Sequence, residues 1–150
     1  MAQAQKQVRI IEPLERFVNR INLVGCYARV SSDSEDQLNS YNNQVDFYES
    51  YVNSLENSKL VKIYTDEGIT GTRMDKRDGF LQMIEDCRKG LINRIITKSI
   101  SRFARNITET LSVVRELKSI GVSVYFMTEK INTAKMGSEM MLAVYAACAE

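Results

Sequence analysis

Four apolar, β-leaning runs punctuate this chain, separated by stretches whose apolar residues recur at helical spacing. Asn22 to Arg29 (NLVGCYAR) is the first, Leu60 to Tyr64 (LVKIY) alternates as the second, Arg94 to Thr97 (RIIT) is the third and Val122 to Met127 (VSVYFM) the fourth. Within Gln37 to Leu55, Leu38, Tyr41, Val45, Tyr48 and Val52 fall three and four apart and make one face of an amphipathic helix. Phe80, Leu81, Ile84 and Cys87 mark a second helix ending at Gly90, and Asp66 to Arg77 between reads as a Gly/Thr-rich loop. Thr108 looks like the N-cap of a third helix whose Leu111, Val114, Leu117 and Ile120 share a face and which closes at Gly121. From Met136 onward, Met140, Met141, Val144, Tyr145 and Cys148 predict a further helix.

Strands alternating with helices predict an α/β fold with a mostly parallel central sheet flanked by helices on both faces. In such sheets ligands gather at the carboxyl ends of the strands. Ser31, Asp66 and the loop from Ser101 to Arg105 all fall at such ends. Residues 1–20, polar with the single proline at Pro13, read as a flexible leader, and 21–150 as one domain, part of a longer protein.

Composition narrows the chemistry. At 150 residues, 44% hydrophobic and 26% charged, the chain fits one globular domain. No apolar run approaches the roughly 18 residues that span a bilayer, so a cytoplasmic protein with no membrane partner is expected. Cys26, Cys87 and Cys148 lie far apart without CxxC spacing, which argues against a disulfide framework or a zinc site and for buried thiols. The chain has no histidine, which removes Ser-His-Asp and Cys-His chemistry and every His-ligated metal. Any nucleophile must be activated another way.

Net charge is only +1, but it is segmental. Acids outnumber bases from Ser31 to Glu67, whereas Arg88, Lys89, Arg94, Lys98, Arg102 and Arg105 follow with no acid among them. A solvated face explains such a run as readily as a phosphate partner does.

Three clusters can carry chemistry. In Tyr27-Ala-Arg-Val-Ser31, strand alternation puts Tyr27, Arg29 and Ser31 on one face, and a guanidinium beside a serine offers a bidentate fork to an oxyanion. In Lys98-Ser-Ile-Ser-Arg-Phe-Ala-Arg105, Arg102 and Arg105 are three apart and share one side of a helical turn or tight loop. Between them, Asp66-Glu-Gly-Ile-Thr-Gly71 and Arg77-Asp-Gly-Phe80 combine flexible glycines with an acid placed to orient a hydroxyl or an arginine. Each has a bland reading, respectively a strand exit, a surface helix start and a turn. Asp66 and Glu67 alone fall short of a carboxylate metal site.

Taken in order, Tyr27-Ala-Arg-Val-Ser31, Gln44, Asp66-Glu-Gly-Ile-Thr-Gly71, Arg77-Asp-Gly-Phe80 and Ser101-Arg-Phe-Ala-Arg105 resemble the resolvase/invertase catalytic domain of serine site-specific recombinases, from about Leu23 to Glu150. The spellings Tyr64-Thr-Asp-Glu-Gly-Ile-Thr-Gly-Thr and Thr97-Lys-Ser-Ile-Ser-Arg-Phe-Ala-Arg-Asn106 look most like the large serine recombinases of conjugative and mobilisable transposons. The resemblance implies that Ser31 is a nucleophile forming a 5′-phosphoserine link to DNA. It makes Arg29, Arg77, Arg102 and Arg105 the active-site arginines, with Tyr27, Gln44, Asp66 and Ser101 in support. Ser101 stands where small resolvases usually carry an aspartate. The same resemblance implies double-stranded DNA attachment sites as substrate, dimers that form a tetramer in the synaptic complex, and a long oligomerisation helix starting near Met136, for which an ordinary core helix is the alternative.

Elementary chemistry agrees with that reading. Without histidine, a serine is activated by electrostatic stabilisation of its alkoxide and of the transition state, which clustered guanidiniums provide while staying protonated. No metal and no cofactor is required, and no GxxxxGK[ST] phosphate loop occurs. Two rivals are weighed. A non-catalytic DNA-bridging or assembly module would have no need of Ser31 and the arginines, and a generic nucleotide-binding α/β protein would not place the acids of Ser31 to Asp36 after its first strand.

Overall fold

The computed structural model describes residues 20–31, 34–68, 77–104 and 106–148; for Ser31, residues 34–39, Gly68 and Ala146 only the backbone is described. The chain runs through β1 (Asn22–Ser31), α1 (Ser34–Asn53), β2 (Ser58–Gly68), α2 (Asp78–Arg88), β3 (Arg94–Thr97), α3 (Ile100–Phe103), α4 (Ile107–Ser119), β4 (Ser123–Phe126), β5 (Ile131–Asn132) and α5 (Ser138–Cys148). The sheet order is β2-β1-β3-β4-β5. Pairings β1 with β2, β1 with β3 and β3 with β4 are parallel, and only β4 with β5 is antiparallel. The predicted α/β architecture is therefore the observed one.

Strand alternation divides the core. Cys26, Ala28 and Ile96 face α1 and pack with its Tyr48 and Val52. Tyr27, Ile95, Val124 and Phe126 face the other way, onto Phe80, Met83, Ile84 and Cys87 of α2, Val114 and Leu117 of α4 and Leu142 of α5. Each such aliphatic or aromatic side chain contributes about 1.5–3 kcal/mol by leaving water, so the two helical layers are held mainly by this burial. An edge-on chain of rings, Tyr27 to Phe80 at 5.4 Å, Phe80 to Phe103 at 5.2 Å and Phe103 to Phe126 at 5.4 Å, ties β1, α2, α3 and β4 together.

The structure corrects several local expectations. The segment after Asp66 is not loop from the start, because β2 continues to Gly68 opposite Ser31; residues 69–76 lie outside the described residues. Ser101 to Arg105 is not all loop either, since Ile100–Phe103 forms one helical turn. The N-cap of α4 is Asn106, whose side chain accepts from Glu109 N, and not Thr108. A two-residue β5 adds an antiparallel edge too short for a periodicity to register. Leu81 and Ile120, placed on buried faces by spacing, are exposed, while Met83 and Thr110 are buried instead. Tyr41 is likewise exposed on α1. Cys26 and Cys87 are buried as expected, but Cys148 is exposed. Residues 1–19 of the leader fall outside the described residues.

Candidate functional site

The strand order reverses between β1 and β3: the chain leaves β1 through α1 to reach β2 on one side, then returns through α2 to β3 on the other. The two crossover helices therefore lie on opposite faces, and the carboxyl ends of β1 and β3 part to leave a crevice, the usual ligand site of an open α/β sheet. A cavity of about 520 Å³ occupies that place. Tyr27, Ala28 and Arg29 of β1 line it, with Lys98 just after β3, Arg102 of α3, and Ser40, Asn43, Gln44, Phe47 and Tyr48 of α1. Among the described residues no Asp or Glu lines the cavity. Of the sequence candidates, Tyr27, Arg29, Gln44 and Arg102 meet here.

The floor of the cavity is stiff. Tyr48 Oη and Thr97 Oγ1 both donate to the carbonyl oxygen of Tyr27, at 3.2 and 3.3 Å, which pins β1 two residues before Arg29. Burial pushes the Tyr48 hydroxyl up to about 12, and burial followed by the Asp66 hydrogen bond does the same for Tyr27. Both phenols stay neutral donors. Gln44 Nε2 reaches Ser40 Oγ at 3.4 Å across one turn of α1.

Asp66 is not part of the cavity lining. Its carboxylate accepts from Tyr27 Oη at 2.7 Å, Gly79 N at 2.7 Å and Phe80 N at 2.9 Å. Arg77, at the N-cap position of α2, makes no capping hydrogen bond of its own, so Asp66 caps that helix from the neighbouring strand. Gly79 makes this possible. A Cβ there would press into the Thr65 carbonyl oxygen and come within 2.9 Å of Asp66 Oδ1, so only glycine lets the helix approach β2 closely enough.

Arg77 is held away from the cavity. Its guanidinium lies 4.0 Å from the Phe80 ring centroid and 5.9 Å from that of Tyr27, donates to the Phe103 carbonyl oxygen, and pairs with Glu109 Oε1 at 3.3 Å. Nε is buried without a partner among the described residues. The fourth arginine, Arg105, lies outside the described residues. Ser31 ends β1 with its backbone opposite Gly68, two residues beyond Arg29. Ser101 shares a hydrogen bond with Ser99 Oγ at 3.0 Å and is not among the cavity residues.

Sequence reasoning placed Gln44 of α1 in the site but missed its neighbours Ser40, Asn43, Phe47 and Tyr48. Asn43 and Phe47 flank Gln44 on the turn facing β1, and a polar pair interrupting an apolar helix face was the only signal available. Lys98 was seen as part of a basic run without a role.

Comparison with known proteins now bears on this arrangement. The family profile described as resolvase, N terminal domain, matches residues 24–150. The chain is 30% identical over 132 residues to the transposon Tn552 resolvase of Staphylococcus aureus, covering 83% of this chain and 56% of that protein. It is equally 30% identical to the transposon Tn552 DNA-invertase BinR of the same species, over 83% and 58%. It thus spans somewhat more than half the length of these curated relatives. A resolvase family site-specific recombinase from Streptococcus pneumoniae shares the fold with a TM-score of 0.67 at 26% identity, covering 85% of each chain. This chain belongs to the resolvase N-terminal domain family of the serine recombinases.

Proposed function

We propose that this domain is the strand-cutting and rejoining part of a site-specific DNA recombinase, with Ser31 as nucleophile. The observation that carries the reading is the meeting of Arg29 and Arg102 at one cavity, at the carboxyl ends of β1 and β3, two residues before Ser31 on the same strand.

In the proposed reaction Ser31 Oγ attacks a DNA phosphorus. The Oγ–P bond forms as Oγ gives up its proton, the bond from phosphorus to the 3′ oxygen breaks, and that oxygen takes up a proton, leaving a 5′-phosphoserine and a 3′-hydroxyl. Attack by a 3′-hydroxyl on the phosphoserine reverses the step, restores the serine and rejoins the strand. Bond energy is conserved, so no nucleotide cofactor is consumed. Arg29 and Arg102, with Arg105, offset the charge that develops on the pentacoordinate phosphorus; preorganised donors of this kind supply the largest share of many enzymatic accelerations. Tyr27 and Asp66 position β1 and α2 around them, and Gln44 and Ser101 support from α1 and α3. Arg77 joins the site on release from Glu109.

The substrate in this reading is double-stranded DNA carrying an attachment site, and the working unit a dimer that pairs into a tetramer. The exposed apolar residues Met140, Met141, Val144 and Tyr145 of α5 support an association surface, since among the described residues of that helix only Ser138 and Leu142 are buried. Integration and excision of a transposon of the conjugative or mobilisable type is the biological role the motif spellings favour.

The test is covalent trapping on a nicked suicide duplex bearing the recombination site. Wild-type protein forms a protein–DNA adduct and Ser31→Ala forms none; an adduct that persists in Ser31→Ala removes that residue from the role. Arg102→Gln lowers cleavage far more than DNA binding, and equal losses would reduce it to a docking residue.

A further inference from the structure

We infer that Lys98 is a DNA-phosphate contact of the same cavity, holding a phosphodiester beside the one that Arg29 and Arg102 address; this rests on the cavity being the DNA site. Lys98 follows β3 directly and lines the cavity with the two arginines. Its backbone is fixed, because its carbonyl oxygen accepts from Thr128 N at 2.8 Å and the preceding Thr97 is fully buried in the sheet. Its side chain is exposed. A cation on a flexible stem rising from a rigid point is suited to an anion whose exact position varies, where the planar fork of arginine suits one held in fixed geometry.

The charge balance supports the assignment. Among the described residues, Arg77, Arg88 and Arg115 are each bound by a glutamate, and neither Lys98 nor Arg102 is in an ion pair. The carboxylate oxygens of Glu129 both accept from Ile100 N at 3.3 Å, where they cap α3. Among the described residues the lining holds Lys98 and Arg102, both outside any ion pair, and no carboxylate, an arrangement that draws in anions. At about 520 Å³ the space exceeds what a single phosphodiester fills, falling within the roughly 300–1,000 Å³ typical of sites for much larger ligands. Ser40, Asn43 and Gln44 supply neutral donors on the opposite wall.

The test measures binding of this chain to a short fluorescent DNA duplex as a function of salt. Each phosphate contact contributes about 0.9 to the slope of log affinity against log salt. Lys98→Gln lowers the slope by about that amount and Lys98→Arg restores it, while Lys89→Gln, at the far end of α2, leaves it unchanged. Loss of slope in Arg102→Gln but not in Lys98→Gln would overturn the role of Lys98 and keep the cavity as the DNA site. An unchanged slope in both would overturn the reading of the cavity itself. Equal losses in Lys98→Gln and Lys89→Gln would mark a general charge effect and overturn the assignment.

Discussion

The Tyr27 hydroxyl donates to Asp66 Oδ2 at 2.7 Å, and the same carboxylate receives the first free N–H groups of α2. One acid thereby couples the strand that ends in Ser31 to the helix that follows Arg77. Three donors occupy most of the roughly four acceptor sites a carboxylate offers.

Asp66→Ala therefore leaves a buried phenol and two helix N–H groups unpaired, and each buried unpaired group costs about 1–3 kcal/mol. Urea unfolding should show a loss larger than that of Tyr27→Phe, which removes only one donor. Gly79→Ala should destabilise comparably to Asp66→Ala, because its methyl pushes α2 off β2. An unchanged midpoint for Gly79→Ala would contradict the close approach.

Alkaline pH should unfold the domain early. Tyr27 and Tyr48 are raised to about 12 and the thiols of Cys26 and Cys87 to about 12, all chiefly by burial. Groups with raised folded-state values keep their protons while the unfolded chain releases them, so stability is full below the ordinary values and falls as pH rises from about 9 toward 12. The urea midpoint should drop across that range, with a shallower slope in Tyr48→Phe. A midpoint constant to pH 11 would contradict the burial of these groups.

Thiol labelling gives an independent check on the same core. Cys148 is exposed and should react with a chromogenic disulfide at pH 8 in the folded protein, while Cys26 and Cys87 react only on unfolding. Three fast thiols would show that the sheet and α2 are open.

The apolar surface of α5 should control association. Met140 and Val144 are well exposed and four residues apart, so they share one helix face. Replacing both by lysine should lower the oligomer fraction in sedimentation without shifting the unfolding midpoint. An unchanged oligomer fraction would move the association surface elsewhere.

Much of the frame was readable from residue patterns. The apolar runs around Cys26, Ile63, Ile95 and Val124 each became a parallel strand, and Gly90 and Gly121 both adopt the positive φ that ends the preceding helix. Where spacing misled, the surroundings decided. Leu81 and Ile120 fit a helical face yet no partner layer covers them, whereas Met83 lies under the sheet. The site was harder to read. Arg29 and Arg102 could be paired from motifs, but the pairing of Arg77 with Glu109 joins residues 32 positions apart in sequence. No local pattern carries that information.

Pinning of Arg77 yields its own prediction. Glu109→Gln weakens the tether that keeps the guanidinium from the cavity, so cleavage should rise or lose its lag while DNA binding stays level. Reduced cleavage with unchanged folding would mean that Glu109 supports the active arrangement.

The most direct measurement is mass spectrometric identification of the residue bonded to DNA after proteolysis of the trapped adduct. The account predicts a 5′-phosphonucleotide on the peptide containing Ser31, on the hydroxyl side chain at the end of β1. A nucleotide mapped to Ser99, Ser101 or any tyrosine would contradict it.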